Sequence, residues 1–361
     1  MGPVPLTRTE RNLYLHKAME IPLLQFTSEG IYCSAANVYL DPWKAVPKAI
    51  ITHGHADHSR SGHQKYITHR YNLPIIRHRL GPIDVTAKEW GETFVINNVK
   101  FSLHPAGHII GSSQVRVEHK GEVWVFSGDY KNTDDGISAP FEPIKCNTFI
   151  TECTFGLPAF KWEPQQQVMN DINQWWSANR DNGKTSVLFG YSLGKAQRLL
   201  KYLDPSIGTI FTHGAIENMT TVLREMTDFP ATVRITRETK KTDLLGNIVL
   251  APPSAHGSIW IRKMVPYETG TASGWMAFRG ARRRRAVDKG FVLSDHCDFQ
   301  GLLESIAATG AEKIICTHGY TDIFSRYLKE LGYDARTETT QYEGELSEMD
   351  PSVMEMEENA Q

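Results

Sequence analysis

Seven points along this chain repeat one arrangement, in which a short apolar run ends and a histidine, aspartate or glutamate follows. Val38-Tyr39-Leu40 leads to Asp41, Ala49-Ile50-Ile51 to His53-Gly54-His55-Ala56-Asp57-His58, and Val99 to Leu103 to the loop holding His108. Glu122 to Phe126 leads to Asp129, Thr148 to Thr151 to Glu152, Gly290 to Leu293 to Asp295-His296, and Glu312 to Cys316 to His318. One polar residue at a strand end is ordinary. Recurrence at this density points to an α/β scaffold that presents reactive groups from loops along one sheet edge.

The His53 to His58 stretch is the densest of these points. Neutral imidazole and carboxylate suit Zn²⁺ or a neighbouring divalent metal, and a tight turn after a strand aims alternate side chains at two different ions. The plain alternative is a polar loop with surface histidines. Asp41 is expected either to orient this loop or to cap its own turn. His108 lies between Gly107 and Gly111, so its loop is expected to turn sharply enough to reach the first cluster. His104 falls inside an alternating strand pattern and reads as a packed residue. His63, His69 and His78 have no ligand-like spacing and read as structural or exposed.

Composition excludes several classes. With 361 residues, 40% hydrophobic and 22% charged, the chain has ordinary globular proportions and enough length for one large domain or two moderate ones. No apolar run approaches a membrane span, and the N-terminus lacks the pattern of a secretory signal, so a cytoplasmic enzyme without membrane partners is expected. Five widely spaced cysteines with no Cys-x-x-Cys pair suggest reduced thiols rather than disulfides or a zinc ribbon. Residues 344–361 carry six acidic residues and no Lys or Arg, which reads as a disordered, solubilising tail on a mildly basic body.

Leu23 to Phe26 and Ile31 to Cys33 read as an opening hairpin, and Thr93 to Ile96 with Val99 to Leu103 as another, turning at Asn97-Asn98. Between Phe155 and Lys289 the texture changes. A helix is expected to start at Pro164 and to carry Val168, Ile172, Trp175 and Trp176 on one side. The strand Thr185 to Phe189 then meets Gly190-Tyr191-Ser192-Leu193-Gly194-Lys195 and a helix through Leu203. That turn is a candidate phosphate seat offering Ser192 and Lys195, although it is not a Walker sequence. Strands at Thr209 to Phe211, Val233 to Ile235 and Ile248 to Leu250 suggest a small α/β domain. Arg282, Arg283, Arg284 and Arg285 close the region, either as a solvated basic face or as a groove tracking nucleic-acid phosphates.

Taken together, His53-x-His55-x-Asp57-His58, the His108 loop, Asp129 and His318 resemble the metallo-β-lactamase superfamily. Glu152-Cys153-Thr154, Asp295-His296 and Thr317-His318-Gly319, bracketing an inserted domain, look like its β-CASP nuclease branch. Gly194-Lys195-Ala196-Gln197-Arg198, Ser273-Gly274-Trp275-Met276, the arginine run and Val292 to His296 further resemble the bacterial ligase-associated DNA exonucleases. The likeness spans nearly the whole chain apart from the tail.

The resemblance implies a four-layer αβ/βα sandwich with an inserted α/β β-CASP domain. Its parts would be a first metallo-β-lactamase segment at 1–154, the β-CASP domain at 155–289, the second segment at 290–343 and the tail at 344–361. His53, His55 and His108 would hold one divalent ion and Asp57, His58 and His318 a second, with Asp129 bridging them and Zn or Mn as the metal. A hydroxide activated by both ions would attack phosphorus in line, and His296, oriented by Glu152, would protonate the departing oxygen. The implied partner is nucleic acid, DNA ahead of RNA, with association to a DNA ligase and helicase in repair. His318 itself matches the RNA-processing pattern, so an RNA nuclease is the near alternative. A glyoxalase-type thioesterase would need neither the insertion nor the arginine run, and an inactive metal-bearing protein would be expected to lack ligands or acid.

Overall fold

The computed structural model describes residues 21–278, 280 and 287–342, so the expectations placed on Arg282, Arg283, Arg284, Arg285 and the acidic tail lie outside the described residues. Three sheets organise the described residues. The first holds β1 (Gln25–Phe26), β2 (Ile31–Cys33), β3 (Val38–Leu40), β4 (Lys48–Ile50), β5 (Lys65–His69) and β6 (Val85–Lys88) in sequence order. β1 and β2 form the expected hairpin, paired antiparallel with Gln25 opposite Tyr32.

The second sheet contains β7 (Phe94–Ile96), β8 (Val99–Pro105), β9 (Ser113–His119), β10 (Glu122–Phe126) and β11 (Thr148–Cys153), then β18 (Lys313–Gly319) and β19 (Asp334–Thr337). β18 and β19 join parallel beside β11, so the late chain completes the sheet that the early chain began. Ile31, Val38 and Leu40 from the first sheet, with Leu24 just before it, pack against Val99, Phe101, Val115, Val117 and Phe126 from the second, as alternating strands with one apolar face must.

Helices cover the outer faces. α1 (Leu73–Leu80) lies after β5, and Leu80 packs with Val46, Ala49, Ile51 and Tyr66 on the far side of the first sheet. The second sheet is covered by the helices Phe299–Thr309 and Thr321–Glu330, whose Leu302, Ile306, Phe324 and Leu328 bury against Val125, Phe149 and Ile314. The result is the expected helix, sheet, sheet, helix stack of an α/β sandwich.

The third sheet has order β14 (Val233–Arg234), β13 (Ile210–Thr212), β15 (Ile248–Ala251), β12 (Thr185–Phe189), β16 (Tyr267–Ala272) and β17 (Lys289–Phe291), with every pairing parallel. Parallel strands need crossovers, which α3 (Lys195–Tyr202) and α4 (Gly214–Leu223) supply, while α2 (Gln165–Asp181) leads into β12. α2 buries Val168, Ile172, Trp175 and Trp176, the face expected from their spacing; it begins one residue after Pro164, which stands outside with ψ 130°. β17 departs from the expected segment boundary, because it hydrogen-bonds to β16 in this third sheet and Phe291 meets Trp175 at 5.6 Å. An apolar run shows that a strand exists but not which edge receives it. No helix among the described residues is long and apolar enough to cross a membrane.

Candidate metal centre

The functional side chains meet where loops leave β3, β4, β8, β10, β11 and β18. β4 ends at Ile50, and Thr52 to His58 then folds back in a short turn. Arg79 of α1 clamps this turn by donating to the Gly54 carbonyl at 2.6 Å and to the Ser59 hydroxyl. Ile109 and His108 donate their backbone N–H groups to Ser112 Oγ, at 3.2 and 3.1 Å. Gly107 stands at φ +74°, and a Cβ there would collide with the Lys131 carbonyl. This tight loop brings His108 to the first cluster.

One ligand atom each from His53, His55, His108 and Asp129 lies within 4.8 Å of all the others. His53 Nε2 and His108 Nε2 are both 3.1 Å from His55 Nδ1, and Asp129 Oδ2 is 3.6 Å from His53 and 3.8 Å from His108. Four donors about 2.1 Å from a tetrahedral ion stand roughly 3.4 Å apart along each edge. The spacing therefore fits one such ion. His58 Nε2 lies 3.4 Å from Asp129 Oδ1 and 3.8 Å from Asp57 Oδ2, which places a further imidazole on the other oxygen of the same carboxylate.

Each ring has its far nitrogen occupied. His53 Nδ1 meets Thr52 Oγ1 at 2.9 Å, His55 Nε2 the Leu193 carbonyl at 3.1 Å, and His108 Nδ1 the Asp295 carbonyl at 2.9 Å. His58 Nδ1 donates to Asp41 Oδ2 at 2.8 Å and His318 Nδ1 to the Tyr342 carbonyl at 3.1 Å. Such partners fix tautomer and ring orientation and leave the remaining nitrogen as a lone-pair donor. Consistent with that role, His58 Nε2 and His318 Nε2 are buried without a well-aligned hydrogen-bond partner among the described residues. Water would normally satisfy such atoms, or a cation would. The donor set thus fits divalent metal.

Electrostatics agree. Burial, then repulsion from the charge that neighbouring imidazoles carry when protonated, pushes His53 and His108 well below the usual histidine range, which favours the neutral ligand form. His58 goes the other way. Burial opposes its charge, but Asp129, Asp57 and Asp41 outweigh burial and hold it well above that range, so the field at its position favours a cation. Burial also works against the Asp129 carboxylate, yet His58, His296 and His53 hold its pKa well below the usual value.

Beside the cluster, His296 Nδ1 lies 2.8 Å from both Glu152 oxygens, and Glu152 also accepts from the Tyr130 backbone N–H at 2.8 Å and from the Thr154 hydroxyl. The His296 and His108 rings are 4.6 Å apart, and Asp129, Glu152 and His296 form a group within 4.8 Å. The last third of β18 delivers His318 through a bulge: Glu152 pairs with Thr317 but Cys153 with Gly319, leaving His318 between them at φ +56°. Asp41, for which two roles stood open, is fully buried and accepts from Thr52 N, Thr52 Oγ1 and His58. It orients the loop.

The expected phosphate seat has a different use for its lysine. Lys195 is 1% exposed and pairs with Asp295 at 3.0 Å, where Arg198 also binds at 3.0 Å. Burial alone would raise the Asp295 pKa, but these two cations outweigh it and hold it low. Ser192 is half-buried, and its carbonyl accepts from Gln197 at 3.1 Å. His104 is partly buried, 3.3 Å from Glu142, and belongs to none of the clusters described above. Sequence reading missed Arg79 in the last turn of α1, Thr52 just after β4 and Tyr342 beyond β19 as supports; only Thr52, beside the histidine cluster, carried a local signal.

No protein-family model matches the chain. It is 30% identical over 312 residues to a protein of Opitutus terrae named "Probable DNA ligase", a match covering 85% of this chain and 30% of that relative. It is 31% identical over 122 residues to the endoribonuclease YSH1 of Yarrowia lipolytica, covering 32% of this chain and 14% of the relative. An RNase J-like protein of Methanocaldococcus jannaschii is 23% identical over 214 residues, half of each chain. The chain thus spans between about one seventh and one half of these relatives' lengths. A crystal structure of a protein of unknown function from Enterococcus faecalis V583 shares the fold, with TM-score 0.56 at 11% identity over 82% of this chain and 79% of the other.

Proposed function

Because this chain belongs to the β-CASP branch of the metallo-β-lactamase superfamily, we propose that it is a metal-dependent nuclease hydrolysing DNA phosphodiester bonds, an exonuclease in DNA repair. The observation that carries the reading is the set of four donors, all within 4.8 Å of one another, standing beside a His296–Glu152 pair. His53, His55 and His108 would hold one divalent cation, Asp57, His58 and His318 the other, and Asp129 would face both. When bound, such a pair, zinc or manganese, acidifies water and neutralises charge gathering on the phosphate in the transition state.

The protein's own groups do the rest. Glu152 accepts the Nδ1 proton of His296, which fixes the ring and leaves Nε2 to carry the proton that the departing oxygen takes. Lys195 and Arg198 hold Asp295, whose carbonyl in turn orients His108. Arg282 to Arg285 would track the phosphate backbone.

DNA is preferred because the relative matched over most of this chain bears a DNA ligase name, which also suggests a ligase as functional partner; a helicase partner rests on the sequence resemblance alone. RNA is the second reading, favoured by the names of the endoribonuclease and RNase J-like relatives. The test is incubation of the pure protein with end-labelled single- and double-stranded DNA and RNA across several divalent metals. Stepwise shortening of DNA supports the proposal. Cleavage of RNA alone transfers it to the second reading, and no cleavage of any substrate with any metal overturns it.

A further inference from the structure

The last described residues, Gln341 and Tyr342, lie across the loops that carry His58 and His318. Tyr342 is buried, in the core between the first two sheets. Its ring stacks on His58 with centroids 4.2 Å apart and planes 18° apart. Its carbonyl accepts from His318 Nδ1 at 3.1 Å, and its hydroxyl donates to the Asp41 carbonyl at 3.1 Å. Trp43 braces the same ring edge-on at 5.7 Å, and the Gln341 carbonyl accepts from Arg60 at 3.1 Å.

Each contact acts on one half of the centre. An imidazole's χ2 torsion is broad, so a parallel ring against His58 narrows an angle that its backbone leaves loose. The carbonyl determines which nitrogen of His318 carries hydrogen and so leaves Nε2 as the acceptor. The hydroxyl holds the carbonyl of Asp41, which stands at φ +39°, and the Asp41 carboxylate in turn orients His58. Among the described residues, no hydrogen bond or ring contact joins Tyr342 to His53, His55 or His108. A residue that only filled the core would have no reason to act on one half more than the other.

We infer that Tyr342 is a positioning residue for the cation subsite formed by Asp57, His58 and His318, setting its affinity and geometry while leaving the His53–His55–His108 subsite unaffected. This rests on the two-cation reading above. The test titrates the metal-stripped full chain with Co²⁺, following binding by calorimetry and ligand geometry by the visible absorption bands of cobalt. Tyr342→Met refills the space with an adaptable side chain, Tyr342→Leu repeats the test with a different shape, and Tyr342→Phe keeps the stack.

The wild-type chain is expected to show two classes of site. Tyr342→Met or Tyr342→Leu, whichever retains the wild-type circular dichroism, should weaken one class by about 10- to 100-fold and shift its bands, with the other class unchanged. Tyr342→Phe should restore most of that loss. Unchanged affinities and bands in a folded variant overturn the inference, and so does equal weakening of both classes. A wild-type chain with a single class of site removes the two-cation reading itself, and this is visible before any variant is made.

Discussion

The two halves of the proposed metal centre are held by different parts of the molecule. His55 and His108 are oriented by the carbonyls of Leu193 and Asp295, which come from the loop after β12 and the turn after β17, both at the third sheet. His58 and His318 are oriented by Asp41, at the end of β3, and by Tyr342, beyond β19, which belong to the sandwich. One half therefore senses how the inserted sheet sits, and the other senses only the frame. Asp129 touches both, so the halves differ in support but share their charge.

The most direct way to break this comparison is to remove one ligand from each half. His55→Ala and Asp57→Ala should each reduce cleavage by at least about 10³-fold with the fold intact, since charge neutralisation needs both cations. Cleavage assays alongside circular dichroism check this, and wild-type rates in either variant would show that its half is dispensable. His296→Ala comes next: it should keep both metals by elemental analysis and lose about 10²- to 10⁴-fold in kcat, the usual range for a proton donor. An emptied site would mean that His296 is a ligand.

Asp41→Asn sharpens the comparison at the support level. It should weaken the His58 half by about 10- to 100-fold in metal affinity and leave the other half alone, as measured by calorimetric titration. Acid should also weaken the frame. His63 Nδ1 accepts from Val46 N and His69 Nδ1 from Tyr71 N, and burial lowers each ring to about 4 from 6.5. A depressed cationic group contributes fully above pH 6.5 and loses that contribution as pH falls toward 4, on the order of 3 kcal/mol per ring. Urea unfolding from pH 7 to 4 should show this decline, and His69→Gln should flatten it. A profile unchanged by the substitution would exclude the ring as its source.

Much of the frame was legible because its signals are local. The β1–β2 and β7–β8 hairpins pair as their alternation and turns required, and α2 buries the face carrying Val168, Ile172, Trp175 and Trp176. The strand at Lys289–Phe291 was visible as an apolar run, but its partner β16 was not, because strand pairing depends on which edge is free in space. Likewise the Gly190 to Lys195 turn was recognisable, while the commitment of Lys195 to Asp295, a hundred residues later, was not.

The sequence by itself determined which chemistry the chain carries: imidazoles and carboxylates stand at strand ends, and their residue types name them as candidate ligands and proton donor. Tertiary structure decided which nitrogen each imidazole offers. The Leu193 carbonyl reaches His55 across 138 positions and the Asp295 carbonyl reaches His108 across 187. A backbone carbonyl has the same chemistry at every residue, so only folding, which selects the few that face a ring, makes these into supports for a metal.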